Sequence, residues 1–368
     1  MKNNRTFLEK LLNGAEVEWK KLCEVSEIEK GKQLNKALLT ETGEYPVING
    51  GINPSGYWHE YNNEANTIVI SQGGASAGYV NWMTTPFFAG AHAYVVKTNE
   101  TLVQKRYAYH FLKMNQVKFM QNQYGAGIPA LAKSDLANLL IPIPPLSVQT
   151  EIVRILDALT ALTSELTSEL ILRQKQYEYY REKLLSFDSL EQLNSGGGKK
   201  KLIDVAKIKN GKDWKHLGEG NIPIYGSGGI MGYVDTYSYD KPTVLIPRKG
   251  TITNIFYLEE PFWNVDTIYY TEIDTTQILP KYFYHFMKTV DLTKLDTGSG
   301  RPSLTQAILN EIPIFVPSIE EQHRIVSILD KFEALTNSIT EGLPLSIEQS
   351  QKRYEYYREL LLNFPGRE

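Results

Sequence analysis

Between residues 146 and 187 the chain contains neither proline nor glycine, and its apolar side chains recur at steps of three, four or seven. Ile152, Ile155, Leu159, Leu162, Leu166, Leu170, Tyr177, Tyr180, Leu184 and Phe187 form that stripe. An apolar period near 3.5 residues is the pattern of a long helix packed on another helix. At about 1.5 Å per residue it is a rod of roughly 60 Å. A second stripe runs through Ile325, Ile328, Phe332, Leu335 and Ile339 and breaks at Gly342-Leu343-Pro344, a sequence that a helix does not readily cross. It resumes with Ile347, Tyr354, Tyr357, Leu361 and Phe364. Exposed stripes of this length would aggregate. The expectation is that they bury each other as an antiparallel pair holding the globular parts at opposite ends.

Elsewhere the period changes from helical to alternating. Short β-branched and aromatic runs (TIVIS at 67–71, HAYVVK at 92–97, TVLIP at 243–247, TIYYTE at 267–272) are separated by Gly, Pro and Asn clusters. Those are strand and turn signals. Helical stretches are expected around 103–120 and 280–290.

The chain also repeats itself, the signature to seek before any local motif. QKQYEYYREKLLSF (174–187) and QKRYEYYRELLLNF (351–364) are identical at eleven of fourteen positions. Upstream, PPLSVQTEIVRILDAL (144–159) matches PSIEEQHRIVSILDKF (317–332), which aligns Gln149 with Gln322 and Asp157 with Asp330. YAYHFLK (107–113) matches YFYHFMK (282–288), and GAGIPAL (125–131) matches GSGRPSL (298–304). The expected organisation is a first globular domain at 1–145, a helical region at 146–194 and a flexible SGGGKKK joint at 195–201. A second globular domain at 202–317 and a second helical region at 318–368 complete it. The fold class is α+β: two mixed domains and two long antiparallel helical regions related by an internal pseudo-twofold repeat.

Charge adds a weak preference. The formal net charge is −3, which excludes coating nucleic acid through bulk charge but not local basic surfaces. Residues 1–145 carry 14 basic and 12 acidic side chains and 199–317 carry 14 and 13, against 5 and 8 in 146–198 and 6 and 9 in 318–368. The globular parts are therefore the anion-facing ones.

The missing chemistry is informative too. A single cysteine, Cys23, leaves no disulfide framework or Cys-rich zinc module. The beginning, MKNNRTFLEKLLNGAEVEWK, has no apolar core of a signal peptide, and no apolar run approaches a membrane span. There is no GxxxxGK[ST] loop, no GxGxxG after a strand and no HExxH. Nor is there an Asn/Asp-Pro-Pro-aromatic motif of the kind that holds a flipped adenine. His110 and His285, at equivalent positions of an aromatic helix, read as packing histidines. No active site is expected.

Globular part, Ile-Pro-x-Pro stop (IPIPP at 141–145, IPIFVP at 312–317), Gln149 or Gln322, and a long helix ending in QYEYYRE-type sequence occur in order, twice. In this the chain closely resembles the specificity subunit, HsdS, of type I restriction–modification systems, over nearly its whole length. The resemblance implies a non-catalytic DNA-binding subunit. Each globular part would be a target recognition domain reading one half of a split DNA sequence, and the helices would set the spacer. It further implies two copies of a methyltransferase subunit, HsdM, docked on the helices, and two copies of a motor–nuclease subunit, HsdR. S-adenosylmethionine, ATP and Mg²⁺ would be used by those partners, with no cofactor or metal in this chain, and the setting would be the bacterial or archaeal cytoplasm.

Base and phosphate contacts are sought in Gly-rich loops, where backbone approaches DNA closely. Arg248 and Lys249 follow the strand TVLIP; Arg248 suits guanine and Lys249 phosphate. Gln72, in the matching Ser-Gln-Gly-Gly, suits adenine. Arg301 stands where the first copy has Ile128. Lys30 and Lys32, and Lys212 of the equivalent Asn-Gly-Lys turn, suit phosphate, and His92 and Tyr124 are further candidates in the first domain. For each, the competing reading is a solvated turn. Tyr177, Tyr180, Tyr354 and Tyr357 lie on the apolar stripe and are expected in the helix–helix core. Tyr179, Arg181, Tyr356 and Arg358 lie off it and are candidates for partner docking, against the plainer reading of a solvated face with local ion pairs.

The rival reading is a coiled-coil scaffold with two protein-binding ends; a stand-alone DNA-modifying enzyme lacks its motifs. DNA binding by titration separates them. A DNA reader loses affinity linearly in log–log form as salt rises, whereas a scaffold shows neither affinity nor slope.

Overall fold

The computed structural model describes residues 7–121, 129–192 and 197–364. It divides into two compact units, Met1–Glu165 with Ile347–Glu368 and Leu166–Ser346. The units do not follow the two halves of the sequence, because each takes in helix from the opposite repeat.

The longer helices are α1 (Lys105–Met114), α2 (Leu146–Leu185), α3 (Pro280–Met287), α4 (Ile319–Asn337) and α5 (Gly342–Leu362). Among its described residues the first unit holds nine strands: β1 (Glu18–Lys21), β2 (Ser26–Lys30), β3 (Tyr45–Ile48), β4 (Tyr57–Trp58), β5 (Thr67–Ser71), β6 (Val80–Met83), β7 (Phe88–Ala89), β8 (Ala93–Thr98) and β9 (Leu140–Ile143). They form a four-stranded sheet β2-β8-β5-β6, a three-stranded sheet β4-β3-β7 and the pair β1-β9. The second unit repeats the plan with β10 (Gly198–Lys201), β11 (Ala206–Lys209), β12 (Ile222–Gly226), β13 (Gly229–Val234), β14 (Thr243–Pro247), β15 (Phe256–Leu258), β16 (Trp263–Asn264), β17 (Ile268–Ile273) and β18 (Pro313–Val316). Its sheets are β11-β17-β14-β15, β13-β12-β16 and β10-β18.

The central strands are apolar on both faces because both faces are covered. Side chains alternate along a strand, so Ile68 and Ile70 join Tyr94 and Val96 in a core with Tyr107 and Phe111 of α1. Val69 and Val95 point the other way, onto Ile48, Phe87 and Ala89 near the small sheet. In the second unit Val244 and Ile246 pack with Tyr282 and Phe286 of α3, and Leu245 packs with Phe262 and Ile268.

Three polar side chains tie each domain to its own helix and to the strand that leads into it, in duplicate. Gln149 is fully buried; its Oε1 accepts from the Gln104 amide at 2.9 Å at the start of α1, and its Nε2 donates to the carbonyls of Leu102 and Pro144 at 2.8 and 2.9 Å. Gln322 does the same with the Leu279 amide and the carbonyls of Gln277 and Pro317 at 2.7, 3.0 and 2.9 Å. Tyr107 donates to the Pro142 carbonyl at 3.0 Å and Tyr282 to that of Phe315 at 2.9 Å. Arg106 bonds Asp157 at 2.7 Å, and Lys281 bonds Asp330 at 2.7 Å.

His110 and His285 are buried, as packing residues would be, but each is also a two-sided connector. His110 Nε2 lies 2.7 Å from Asp157 and its Nδ1 3.1 Å from the Tyr354 hydroxyl. His285 Nε2 lies 2.8 Å from Asp330 and its Nδ1 3.5 Å from the Tyr177 hydroxyl. A neutral ring that donates from Nε2 to the carboxylate accepts from tyrosine at Nδ1. Asp157 and Asp330 belong to the histidine's own repeat; Tyr354 and Tyr177 come from the other. In the first unit, Thr163 of α2 meets Ser350 of α5 at 2.8 Å, and His110 joins Asp157 to Tyr354 further along. As α2 descends α5 ascends, so the two are antiparallel there. In the second, Phe332 of α4 lies against the Tyr177 and Tyr180 rings at 6.4 and 5.7 Å.

Several expectations need correcting. Of the first stripe only Ile152 and Tyr177 are buried; the other buried apolar positions of that helix, Val148, Leu156 and Leu185, lie off it, and burial falls where the helix meets a domain. Leu162 and Ile339 are exposed. Tyr180 and Tyr357 are exposed as well, not core. The helical stripe is interrupted, but just before Gly342-Leu343-Pro344: α4 stops at Asn337, and those three residues form the first turn of α5, which starts at Gly342. Gly342 takes a left-handed φ of 81°, and a Cβ there would lie 2.6 Å from the Ala334 carbonyl oxygen. The SGGGKKK joint ends earlier than expected. Gly198–Lys201 is strand β10, antiparallel to β18, with Lys199 paired to Glu191, Lys200 to Gln277 and Lys201 to Glu311. Leu193–Gly196 lie outside the described residues.

Burial is the main force that lowers the affinity of His110 and His285 for a proton below the ordinary imidazole value, against the opposing hydrogen bonds from Asp157 and Asp330. The folded chain therefore binds these protons less readily than the unfolded chain. The stability they confer is present above the unfolded value of about 6.5 and is lost as pH falls through and below it. Burial pushes Asp157 up, but its bonds to His110 and Arg106 outweigh burial and hold it below the ordinary carboxylate value, so it titrates beneath that window. The melting temperature should drop between about pH 7.5 and 5.5, and the drop should shrink in His110→Gln/His285→Gln. An unchanged drop would assign the pH dependence to other groups.

Candidate nucleic-acid interface

The first domain gathers three loops at the ends of β3, β5 and the segment before β8. Gln72 donates its backbone amide to the His92 carbonyl at 2.8 Å, and its own carbonyl accepts from the Leu131 amide at 2.7 Å. Gly74 donates to the Pro129 carbonyl at 2.9 Å, and its φ of 85° makes the turn a glycine position. Asn49 Oδ1 accepts from the His92 amide at 2.9 Å. A Cβ on Gly50 would lie 2.7 Å from the Gly73 carbonyl oxygen, so the Asn-Gly-Gly turn lies directly against the Gln72 loop.

The second domain builds the same frame with other side chains. The Arg248 amide donates to Thr267 at 2.9 Å, its carbonyl accepts from Leu304 at 2.8 Å, and Gly250 donates to Pro302 at 3.0 Å. Gly250 has φ 85°, as Gly74 does. Gln72 and Arg248 thus occupy one position of the frame, as do Gly73 and Lys249, and His92 and Thr267. The Arg248 guanidinium donates to the Asp266 carbonyl at 3.2 Å and lies 5.9 Å from the Tyr269 ring centre. Lys249 faces the Asp266 carboxylate at 3.9 Å, an exposed pair worth little. Arg301 is exposed on the Gly298–Leu304 loop, whose Ser303 bridges Lys249. Asp296 pins that loop by accepting from the amides of Gly298 and Ser303, both at 2.8 Å.

Lys32 and Lys212 are exposed and equivalently held, their amides bonded to the carbonyls of Ala89 and Asn264 at 2.9 Å each. Lys30 closes β2 opposite Tyr94 and is exposed. Gln72 is half-buried, and its side-chain oxygen is buried without a partner. His92 is exposed. Tyr124, like Ile128, lies outside the described residues. The frame therefore brings Gln72 and His92 together in one domain and Arg248, Lys249 and Arg301 in the other. It also brings in residues that sequence reasoning missed: Asn49, Ser227, Asp266 and Thr267. The Gly-Gly pairs at 50–51 and 228–229 were the available signal.

On the helices, Tyr179 and Tyr356 are 56% and 63% exposed. Each meets its exposed neighbour, Tyr180 or Tyr357, edge-on at 5.3 Å. Arg181 and Arg358 are half-buried instead, with their guanidinium groups 5.2 and 5.3 Å from the ring centres of Tyr177 and Tyr354. They brace the connector tyrosines more than they face outward. His285, Asp330 and Glu333 bring ligand-type atoms within 4.8 Å of one another. Lys281 already bonds Asp330, and the Tyr284 hydroxyl bonds Glu333 at 2.9 Å, while the residue equivalent to Glu333 in the first unit is Thr160. The cluster reads as part of the junction.

Comparison with known proteins agrees with this two-copy plan. The family model described as a type I restriction modification DNA specificity domain matches residues 15–173 and again 194–349. The chain is 45% identical to a Haemophilus influenzae protein named as a type I restriction enzyme specificity subunit, covering 99% of this chain and all of the relative. It is 34% identical to a type I restriction enzyme specificity subunit of Escherichia coli, covering 98% and 97%. Among solved structures, the S subunit of a type I restriction–modification system from M. genitalium matches with a TM-score of 0.68 at 25% identity, covering 96% of this chain and 98% of that one.

The frame makes a strict demand on two glycines. A Cβ on Gly31 would collide with the carbonyl of Gly90, and one on Gly211 with that of Val265. Gly31→Ala and Gly211→Ala should each cost about 1–3 kcal/mol through overpacking and lower the melting temperature. Gly228→Ala, where a Cβ meets nothing within 4 Å, should leave it unchanged. Equal melting temperatures for all three would remove the close approach from the account.

Proposed function

The chain belongs to the type I restriction–modification DNA specificity family, and we propose that its two loop frames read different halves of a split DNA target. It is the non-catalytic DNA-specificity subunit of a type I restriction–modification complex. One observation carries the reading of two unlike half-sites: the same backbone hydrogen bonds present Gln72 and His92 in one domain and Arg248, Lys249 and Thr267 in the other. Gln pairs bidentately with adenine and Arg with guanine in the major groove, and Lys30, Lys32 and Lys212 are suited to phosphate. The 40 residues of α2 make a helix of about 60 Å, longer than one turn of B-DNA at about 34–36 Å. That length supports helices that fix an unread spacer between the half-sites.

The duplicated exposed tyrosine pairs support two identical partners that each find the same surface; these we assign as two methyltransferase subunits, joined for restriction by two motor–nuclease subunits. S-adenosylmethionine, ATP and Mg²⁺ belong in this scheme to those partners, and the setting is the bacterial or archaeal cytoplasm. Among the described residues, no helix is long and apolar enough to cross a membrane.

The test is co-expression with the cognate methyltransferase subunit in a methylation-free host, with every N6-methyladenine mapped. The expected result is two short half-sites around a fixed spacer, with one half changed when residues 1–145 are replaced by another recognition domain. Arg248→Ala should relax one position of one half-site, costing about 1–3 kcal/mol, while Lys212→Ala should weaken all sequences alike and lower the salt slope by about one. A co-purified pair that leaves no split motif would overturn the reading.

A further inference from the structure

Beside each frame stands a hairpin, β3–β4 in the first domain and β12–β13 in the second, each completed to a three-stranded sheet by β7 or β16. They are the same element: Pro46 pairs with Tyr57 and Pro223 with Tyr233. Each is also joined to the frame by its tip. Ser71 Oγ donates to the Gly51 carbonyl at 3.3 Å, and Asn81 to that of Ile52 at 3.2 Å. In the second domain Asn254 donates to the Ser227 carbonyl at 3.0 Å, and the Ser227 amide to Thr267 Oγ1 at 3.2 Å. The tips differ in length, yet both carry Gly-Gly-Ile: Gly50-Gly51-Ile52 and Gly228-Gly229-Ile230.

Those isoleucines are exposed, Ile52 by 47% and Ile230 by 53%, with Met231 beside the latter at 57%. A large aliphatic side chain left about half exposed beside a glycine-rich turn, in the loop for Ile52 and at the start of β13 for Ile230, gains little from the fold. The turn that carries it lies against the loops whose residues differ most between the frames, Gln72 against Arg248 and His92 against Thr267, while the isoleucine stays the same. The apolar group that the major groove displays is the thymine C5-methyl.

We propose that Ile52 and Ile230 are base readers: each hairpin tip enters the major groove and packs its isoleucine on a thymine methyl, next to the base read by Gln72 or Arg248. This inference rests on the DNA-reading function above. It requires each half-site to contain an A·T pair with thymine on one strand, next to the base that the frame reads.

The experiment uses the complex with its methyltransferase subunit and duplexes carrying the mapped target, in which each thymine is replaced in turn by uracil, which lacks only the methyl. In one position per half-site, uracil should weaken binding roughly three- to tenfold, the scale of one or two buried methyl contacts. Ile230→Ala should abolish that discrimination in one half-site only, and Ile52→Ala in the other. Both variants should melt with the parent, because the side chains they shorten are exposed. The inference is overturned if a half-site has no thymine, if uracil is neutral everywhere, or if the alanine variants weaken thymine and uracil duplexes equally, as a wedge indifferent to sequence would. If the parent complex leaves no split motif, it is the DNA-reading function that fails; a normal motif with unaltered alanine variants sinks the hairpin alone.

Discussion

Everything in this molecule hangs on a polar junction sealed from water. Gln149 and Gln322 are fully buried amides, and a buried amide left without partners costs about 1–3 kcal/mol per group. Each satisfies its donor and its acceptor only when the start of the recognition-domain helix, the loop before it and the Pro that ends the preceding strand are all in place. An apolar contact tolerates a slide along a helix by a residue; this one does not. The junction therefore fixes the register of domain on helix, which is what a protein needs if the distance between two reading surfaces is part of its specificity.

The histidines extend the same logic from one repeat to the other. An imidazole has two nitrogens on opposite sides of a rigid ring, so it serves a group from its own repeat and a group from the other at once. His110 does this with Asp157 and Tyr354, and His285 with Asp330 and Tyr177. The near-identity of the two QYEYYRE-type helix ends has this internal cause, because each must fit the other repeat's recognition domain. Arg181 and Arg358, which lie over those tyrosines, belong to the same constraint. The outward tyrosines Tyr179 and Tyr356 do not, and their retention in both copies calls for a reason outside the chain.

How much of this was legible in the sequence depended on the range of the interaction that carries it. The helix break just before Gly342 is a local matter of φ and was readable. The stripe was readable as a helix but not as a core, since burial at Ile152 or Tyr177 comes from a domain packed on the helix, and Leu162 and Ile339 have no such cover. The strand at Gly198–Lys201 was misread as linker because three lysines look solvated, and what orders them is a partner strand more than a hundred residues away. Its signal was still present: KKLCEV at 20–25 and KKLIDV at 200–205 repeat each other, which carries the duplication into the supposed joint. Among the candidate residues, spacing matched Lys32 with Lys212 and Gln72 with Arg248, the same equivalences that the backbone bonds show. Asn49, Ser227 and Thr267 are placed by backbone bonds across loops of unequal length, which no spacing rule reports.

A division of labour follows from those backbone bonds. In each frame the loops are held by main-chain amides and carbonyls, by glycines at left-handed φ and by close approaches that only glycine permits. Side chains that enter the scaffold include Asn49, Asp296 and Thr267 Oγ1, while at the proposed reading positions Gln72 and Arg248 the main chain makes the bonds that hold the frame. Gln can stand where Arg stands, and His where Thr stands, with the same hydrogen bonds beneath them. Stability is thereby largely uncoupled from the proposed reading residues: they can be exchanged at small cost to the fold, whereas removing the buried amide or imidazole at the junction leaves its buried partners unsatisfied. A protein whose target must change while its partners stay the same is best built with variation confined to surfaces that the core does not feel.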